Sequence, residues 1–370
     1  DDEALYVAFH CPFPVGSKLK LDATERDGRS WLDESIEVCM RGVENGLRIG
    51  APLWTAYSAF FVGVHLLFRA VPIQENLEAF ARYMRLQDPH ASSGNAAYVQ
   101  LLKAMRGETA SPTGFDEPGW DDAYIIERRE SDHLLALQHY FTARLMADVL
   151  LGRTAEALDT AEKAAAEGDI NMVLFGQITT AQFRFHHALA LADSLQGRAL
   201  GGADAAAARG ALDACRERLR VWAENAPANF LAQRELVDAA VAVLAGDQVE
   251  AMARFDAAID AAEAHRMNYP LALANERAAR FHLANGRRRA AVPYLRAARG
   301  AYARWGATAK VAALEAAHPD VFHYTSPGRR ARHAAVQDVG GFDMASVLKA
   351  ARIVSGEIEG SKVPAWLLIK

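Results

Sequence analysis

The chain has 370 residues, 51% of them apolar and 24% charged, with a formal net charge of −5. That apolar content excludes a disordered polar chain, and the slightly acidic balance offers no basic footprint for nucleic acid. There is no run of about eighteen apolar residues, so no membrane-spanning helix is expected.

Three scattered cysteines (Cys11, Cys39 and Cys215) lack any C-x-x-C spacing and read as free thiols of a reducing cytoplasm. The first residues, Asp-Asp-Glu, supply neither an initiator Met nor a basic n-region. A piece of a longer protein is expected, rather than a chain with a signal peptide.

Alanine is abundant and β-branched runs are scarce, so the expected fold class is all-α. Residues 1–28 read as a frayed N-terminal segment, because Cys-Pro-Phe-Pro-Val-Gly at 11–16 breaks any helix. A helix is expected over 31–49, with Ile36, Met40, Val43 and Leu47 on its inner stripe. Gly50 and Pro52 end it, and a nearly all-round apolar helix over 53–69 is expected at the centre of the fold.

Pro72 opens a third helix whose inner face is Leu77, Phe80, Ala81 and Met84. A short helix over 95–105 precedes a long loop over 107–120. Residues 121–152 read as helical, with Ser131 or Asp132 capping a second start and Leu135, Tyr140 or Phe141, Leu145 and Val149 inside. Residues 154–167 pair back onto that helix.

A helix over 171–196, a flexible turn over 197–204 and a helix over 205–224 follow. Asn225-Ala-Pro227 reads as a helix stop and Asn229 as the next N-cap, with Phe230, Val237, Val241 and Leu244 inside. Ala251, Phe255, Ile259 and Ala262 line the partner helix. Leu271, Ala274, Ala278 and Phe281 line the one after. Ala291, Leu295, Ala298, Tyr302 and Trp305 line the last, which Gly306 ends.

Gly152, Gly246 and Gly286 each precede an alanine by five positions, at Ala157, Ala251 and Ala291. A glycine closes one helix, and a small residue lets the next approach closely. The two sharpest units are 40 positions apart, from Gly246 to Gly286, against about 34 for a strict tetratricopeptide (TPR) repeat.

Such helix pairs are too thin to bury their own apolar faces and must stack. The expected architecture is a TPR-like antiparallel helix-pair superhelix. N-terminal helical repeats occupy 29–168 and C-terminal TPR-like repeats 169–319. A linker follows at 320–341 and a connector helix at 342–370, with Met344, Val347, Leu348 and Ala351 on one edge.

Chemistry is sparse. There is no phosphate-binding G-x-x-x-x-G-K-[ST] loop, no G-x-G-x-x-G and no H-E-x-x-H. His186 and His187 are adjacent on a helix, hence about 100° apart, which suits one metal ion poorly. Asp116, Glu117, Asp121 and Asp122 read as a solvated acidic loop, and Arg287, Arg288 and Arg289 as a solvated turn.

Asn275-Glu276 inside an apolar helix reads as a buried polar tie between helices, in preference to a ligand contact. Tyr294, Tyr302 and Trp305 read as core. No nucleophile is paired with a base, so no catalytic, cofactor or metal residue is assigned and no cofactor is expected.

Several stretches resemble the helical region of very large bacterial signalling proteins. They are Leu-Arg-Val-Trp-Ala-Glu-Asn-Ala-Pro-Ala-Asn-Phe at 219–230, Ala-Leu-Ala-Asn-Glu at 272–276 and Tyr-Ala-Arg-Trp-Gly-Ala-Thr-Ala-Lys-Val at 302–311. Leu-Glu-Ala-Ala-His-Pro at 314–319 and the connector at 343–358 belong to the same set. That family joins a serine/threonine kinase-like domain, an AAA/STAND-type ATPase, a TPR-like region, a GAF sensor and a histidine kinase.

The resemblance is specific over 183–358, and Pro293 departs from the pattern. The family-motif positions are Trp222, Pro227, Asn229, Phe230, Asn275, Glu276, Tyr302, Trp305, Gly306 and Lys310.

The resemblance implies a cytoplasmic, non-catalytic regulatory and protein-interaction region that couples an upstream ATPase to GAF and kinase domains. Its implied partners are those domains, a protein or peptide in the concave face, and a second copy through the downstream kinase. A helical sensor arm of a STAND-type transcription regulator and a plain protein-binding scaffold are the alternatives.

Overall fold

A computed structural model describes residues 30–86, 92–111, 114–115, 133–174, 176–196 and 202–322. Every regular element among them is helical. The N-terminal half holds α1 (Ser30–Ile49), α2 (Pro52–Phe68), α3 (Ile73–Tyr83), α4 (Ser92–Arg106), α5 (His133–Leu150) and α6 (Thr154–Glu167). The short α7 (Ile170–Val173) leads into α8 (Ile178–Leu195), α9 (Ala203–Asn225), α10 (Pro227–Ala245) and α11 (Gln248–Ala264). The chain continues through α12 (Asn268–Ala284), α13 (Arg288–Trp305), α14 (Thr308–Ala317) and α15 (Pro319–Phe322). The expected segments 1–28 and 342–370, all but the first residues of the linker, and Ser131 and Asp132 lie outside the described residues.

One turn recurs. Gly152, Gly246, Gly286 and Gly306 all have left-handed backbones, with φ of 74°, 75°, 70° and 92°. The residue after each glycine donates its N–H to a carbonyl five positions back, as Asp247 does to Ala242 at 3.0 Å and Arg287 to His282 at 2.8 Å. Glycine adopts this conformation without a Cβ clash, so the chain reverses and the next helix begins at once. Ala157, Ala251 and Ala291 are then fully buried against the preceding helix.

Successive helices pack in pairs: α1 with α2, α4 with α5, α5 with α6, α8 with α9, α10 with α11, and α12 with α13. The α12–α13 pair is antiparallel, because His282 stacks on Tyr294 near its turn and Tyr269 packs on Trp305 at its far end. Thirteen of the seventeen residues of α12 are buried, which makes it a central helix.

Contacts also join distant parts of the chain. Arg69 donates to the His265 carbonyl at 2.7 Å, and Asn268 to the Ala70 carbonyl at 3.0 Å. Thr308 donates to the Arg106 carbonyl at 3.0 Å, and α14 packs on α4.

Several local expectations are corrected. The helix stop expected at Asn225-Ala-Pro227 is present, since α9 ends at Asn225, but Pro227 also opens α10, because its fixed φ suits a first helical turn and its missing N–H has no partner there anyway. Asn229 is therefore inside the first turn and not the N-cap. The expected helix over 171–196 is broken: Asp169 caps α7, Gly176 turns with φ 73°, and α8 begins at Ile178.

Met40 and Leu47 face outward. The inner face of α1 is instead Cys39, Gly42, Val43 and Gly46, because a Cβ at Gly42 or Gly46 would strike Ser58 or Thr55 of α2. On α3 the buried residues are Ile73, Asn76 and Phe80, while Ala81 is exposed. The α2 helix is buried mainly in its second half; in its first half Thr55 and Ala59 are buried while Leu53, Trp54 and Tyr57 are exposed, as is Leu135 of α5. Pro293 sits within an unbroken α13.

Candidate interaction cleft

Helices α8, α10 and α12 are each separated from the next by one reversed helix, so all three run the same way. Tyr269, near the start of α12, donates its hydroxyl proton to Gln182 Oε1 of α8 at 2.7 Å. Further along the same pair, Arg277 grips Asp193 through NH1–Oδ1 at 2.9 Å and NH2–Oδ2 at 2.7 Å. Two parallel N–H···O bonds of this kind fix geometry as well as charge.

The C-terminal halves of these helices line a cleft of about 330 Å³. Its apolar floor comes from Ala240, Val243 and Leu244 of α10, Phe255 of α11 and Phe281 of α12, with the exposed Ala284 on its rim. Thr154, Asp193, Gln196, Arg277 and Arg280 supply the polar wall.

Behind the wall lies a buried ionic network. Glu276 Oε1 accepts from Lys310 Nζ at 3.0 Å and from Arg280 at 2.5 Å, and Oε2 accepts from the Tyr302 hydroxyl at 2.7 Å. Glu276 and Lys310 are both less than a tenth exposed. Burial alone would raise the Glu276 carboxyl, but the charges of Lys310 and Arg280 and the bonds from Tyr302 and Lys310 outweigh it and hold it at about 2.

Lys310 shifts the other way. Burial lowers its ammonium below the ordinary lysine value, and the nearby Arg280 and Arg277 add to this while Glu276 opposes it. The two directions are compatible, because Glu276 faces two cations and Lys310 must share one carboxylate with an arginine.

A second polar centre lies between α4, α5 and α8. The Tyr98 hydroxyl is 3.0 Å from His139 Nδ1, and both side chains are fully buried. Burial lowers the His139 imidazole to about 3, against an opposing bond with Gln177. His186 of α8 is also fully buried, with Nδ1 2.8 Å from the Gln182 carbonyl, and burial lowers it to about 4.

The family-motif positions fall in two places. Glu276, Tyr302 and Lys310 form the ionic network, and Trp305 packs on Tyr269 of α12, with ring centres 5.3 Å apart. Asn275 turns back to the Leu271 carbonyl of its own helix, and Gly306 caps α13. Trp222 and Phe230 pack together 6.0 Å apart beside Ala181, with Pro227 and Asn229 in the same turn region.

Asp193, Arg277 and Arg280 were not singled out from the sequence. A carboxylate on an otherwise apolar helix and the four-residue spacing of Glu276 and Arg280 were the available signals.

Among the described residues, no group of three or more His, Cys, Asp or Glu side chains is placed to hold a metal ion. No described helix is long and apolar enough to cross a membrane. Comparison of the chain with protein-family models, curated proteins and solved structures finds no match.

Proposed function

We propose that this chain is a non-catalytic, TPR-like regulatory and protein-interaction region of a cytoplasmic multi-domain signalling protein. In this reading it couples an ATPase module to GAF and histidine kinase modules, and a protein segment docks in the cleft between α8, α10 and α12. The resemblance over 183–358 supports the signalling context. The repeated glycine turn, with antiparallel pairs following it, supports the TPR-like arrangement.

The observation that carries the docking role is the cleft itself. It combines an apolar floor, a polar wall and three parallel inner helices, α8, α10 and α12. Coupling of two ends requires an element that both can bias, and α12, which touches α8, α10, α11 and α13 together, is that element. A plain scaffold is the second reading, favoured by the Arg69–His265 and Asn268–Ala70 bonds that tie distant helices together.

The test is a photo-crosslinker at Ala284, on the rim of the cleft, in cells that make the protein with its neighbouring domains. A saturable protein adduct from Ala284, with none from Ala207 on the exposed side of α9, is the expected result. Equal labelling from both positions, or none from either, sinks the docking role. Amide exchange of α12 with and without the neighbouring domains separates transmitter from scaffold, since unchanged protection favours the scaffold.

A further inference from the structure

The cleft has a sign. In and behind its wall, three cations (Arg277, Arg280 and Lys310) stand against two carboxylates (Asp193 and Glu276). Lys310, Glu276 and Arg277 are each less than a tenth exposed, and the Asp193 side chain is 23% exposed. The excess positive charge therefore reaches solvent at Arg280, whose side chain is 45% exposed and lines the cleft. Low-dielectric walls concentrate such a charge.

The half-exposed Arg280 guanidinium thus stands beside an apolar floor.

We propose that the cleft recognises a short acidic segment of a protein, with one apolar side chain on the floor at Val243 and Leu244 and an adjacent Asp or Glu carboxylate on Arg280. This rests on the docking role proposed above and names the chemistry of its occupant. The cleft volume of about 330 Å³ is at the low end of small-molecule sites. It accommodates an anchor of a few side chains and no folded surface. The carboxylate adds a charge-assisted bond to a guanidinium already oriented by Glu276, and the interaction weakens as salt screens Arg280.

Fluorescence anisotropy of the whole chain with labelled peptides tests this. The probes are Leu-Glu and Phe-Asp core peptides, their Gln and Asn counterparts, and their Lys counterparts. The acidic peptides are expected to bind at least about tenfold tighter than the amide ones, with the advantage shrinking as salt rises. Arg280→Gln removes that advantage. Arg280→Glu transfers it to the Lys peptides, which a merely unfolded variant cannot do. Ala284→Trp, which fills the rim, abolishes all binding.

Equal affinity for acidic and amide peptides, or an unchanged preference in Arg280→Gln, overturns the proposal. If amide or Lys peptides bind and Ala284→Trp blocks them, docking stands and acidic recognition falls. If no peptide binds while Ala284 still crosslinks to a protein, acidic recognition by a short segment falls alone. If neither occurs, both fall.

Discussion

Tyr269 and Gln182 are 87 residues apart and share a buried hydrogen bond of 2.7 Å, Tyr269 donating. The bond ties the start of α12 to the start of α8 across the intervening helices. The same tyrosine packs on Trp305 on one side and stacks near His186 on the other. One side chain thus joins α8, α12 and α13.

Tyr269→Phe should destabilise the protein by about 1–2 kcal/mol, because it leaves the Gln182 oxygen buried without this donor. Adding Gln182→Leu to the Phe variant should restore part of the loss, since an apolar pair avoids the unmet acceptor. Urea unfolding of the three variants measures both effects. A double variant weaker than the sum of the singles contradicts the argument.

Acid should unfold this protein through its buried histidines. His139 and His186 are held at about 3 and about 4 by burial, against about 6.5 in an unfolded chain. A depressed folded value means that the stabilisation is complete above the unfolded value and is lost as pH falls through the interval. Each histidine contributes a slope of about 1.4 kcal/mol per pH unit below about 6.5. The slope ends near 4 for His186 and near 3 for His139. His186→Asn keeps a donor near the Gln182 carbonyl but cannot titrate, so it should flatten the slope by one histidine's share. Unfolding free energies between pH 7 and pH 5 decide this, and an unchanged slope rules out His186.

The left-handed turns carry a backbone cost that a single methyl group exposes. Gly246 has φ 75°, and a Cβ there would meet nothing within 4 Å. Gly246→Ala should therefore cost about 1–2 kcal/mol from backbone conformation alone. Thermal unfolding that moves by less than the error would mean the turn relaxes to another geometry.

The glycine turns and the apolar stripe of α13 were legible because both are local. A glycine five positions before an alanine, and Ala291, Leu295, Ala298, Tyr302 and Trp305 at helical spacing, need only the chain around them. The α1 face was misread for a physical reason: Gly42 and Gly46 let α2 approach closely, and a hydrophobic stripe does not register absent side chains.

The break at Gly176 was missed because apolar periodicity runs on either side of it. Asp193 and Arg277 were missed because their pairing spans 84 residues, and no local rule reports a partner so distant. The cleft was illegible for the same reason, being built from α6, α8, α10, α11 and α12 together.

Trp305 is fully buried, and its Nε1 has no hydrogen-bond partner. Trp305→Ala should cost about 3–5 kcal/mol from lost contacts and the cavity left behind. Trp305→Phe should cost clearly less, because the indole N–H gives up no bond. A loss below about 1 kcal/mol for the alanine variant would mean that the ring is solvent-exposed.

The Glu276–Lys310 pair should be strongly asymmetric to mutation. Glu276→Gln leaves Lys310 buried without its carboxylate and removes the anion that Arg280 and Tyr302 also engage. A loss of about 3–5 kcal/mol is expected. Replacing both partners, as Glu276→Leu with Lys310→Met, should recover much of it, because neither charge is then stranded.

Acid alone affects this network in a lower window than the histidines, overlapping theirs only below about 4.5. The depressed Glu276 value means its contribution is complete above about 4.5 and fades as pH falls towards about 2. Denaturant unfolding at neutral pH compares the single and double variants. A double variant no more stable than Glu276→Gln would show that the network's geometry, and not its charge balance, holds α12, α13 and α14 together.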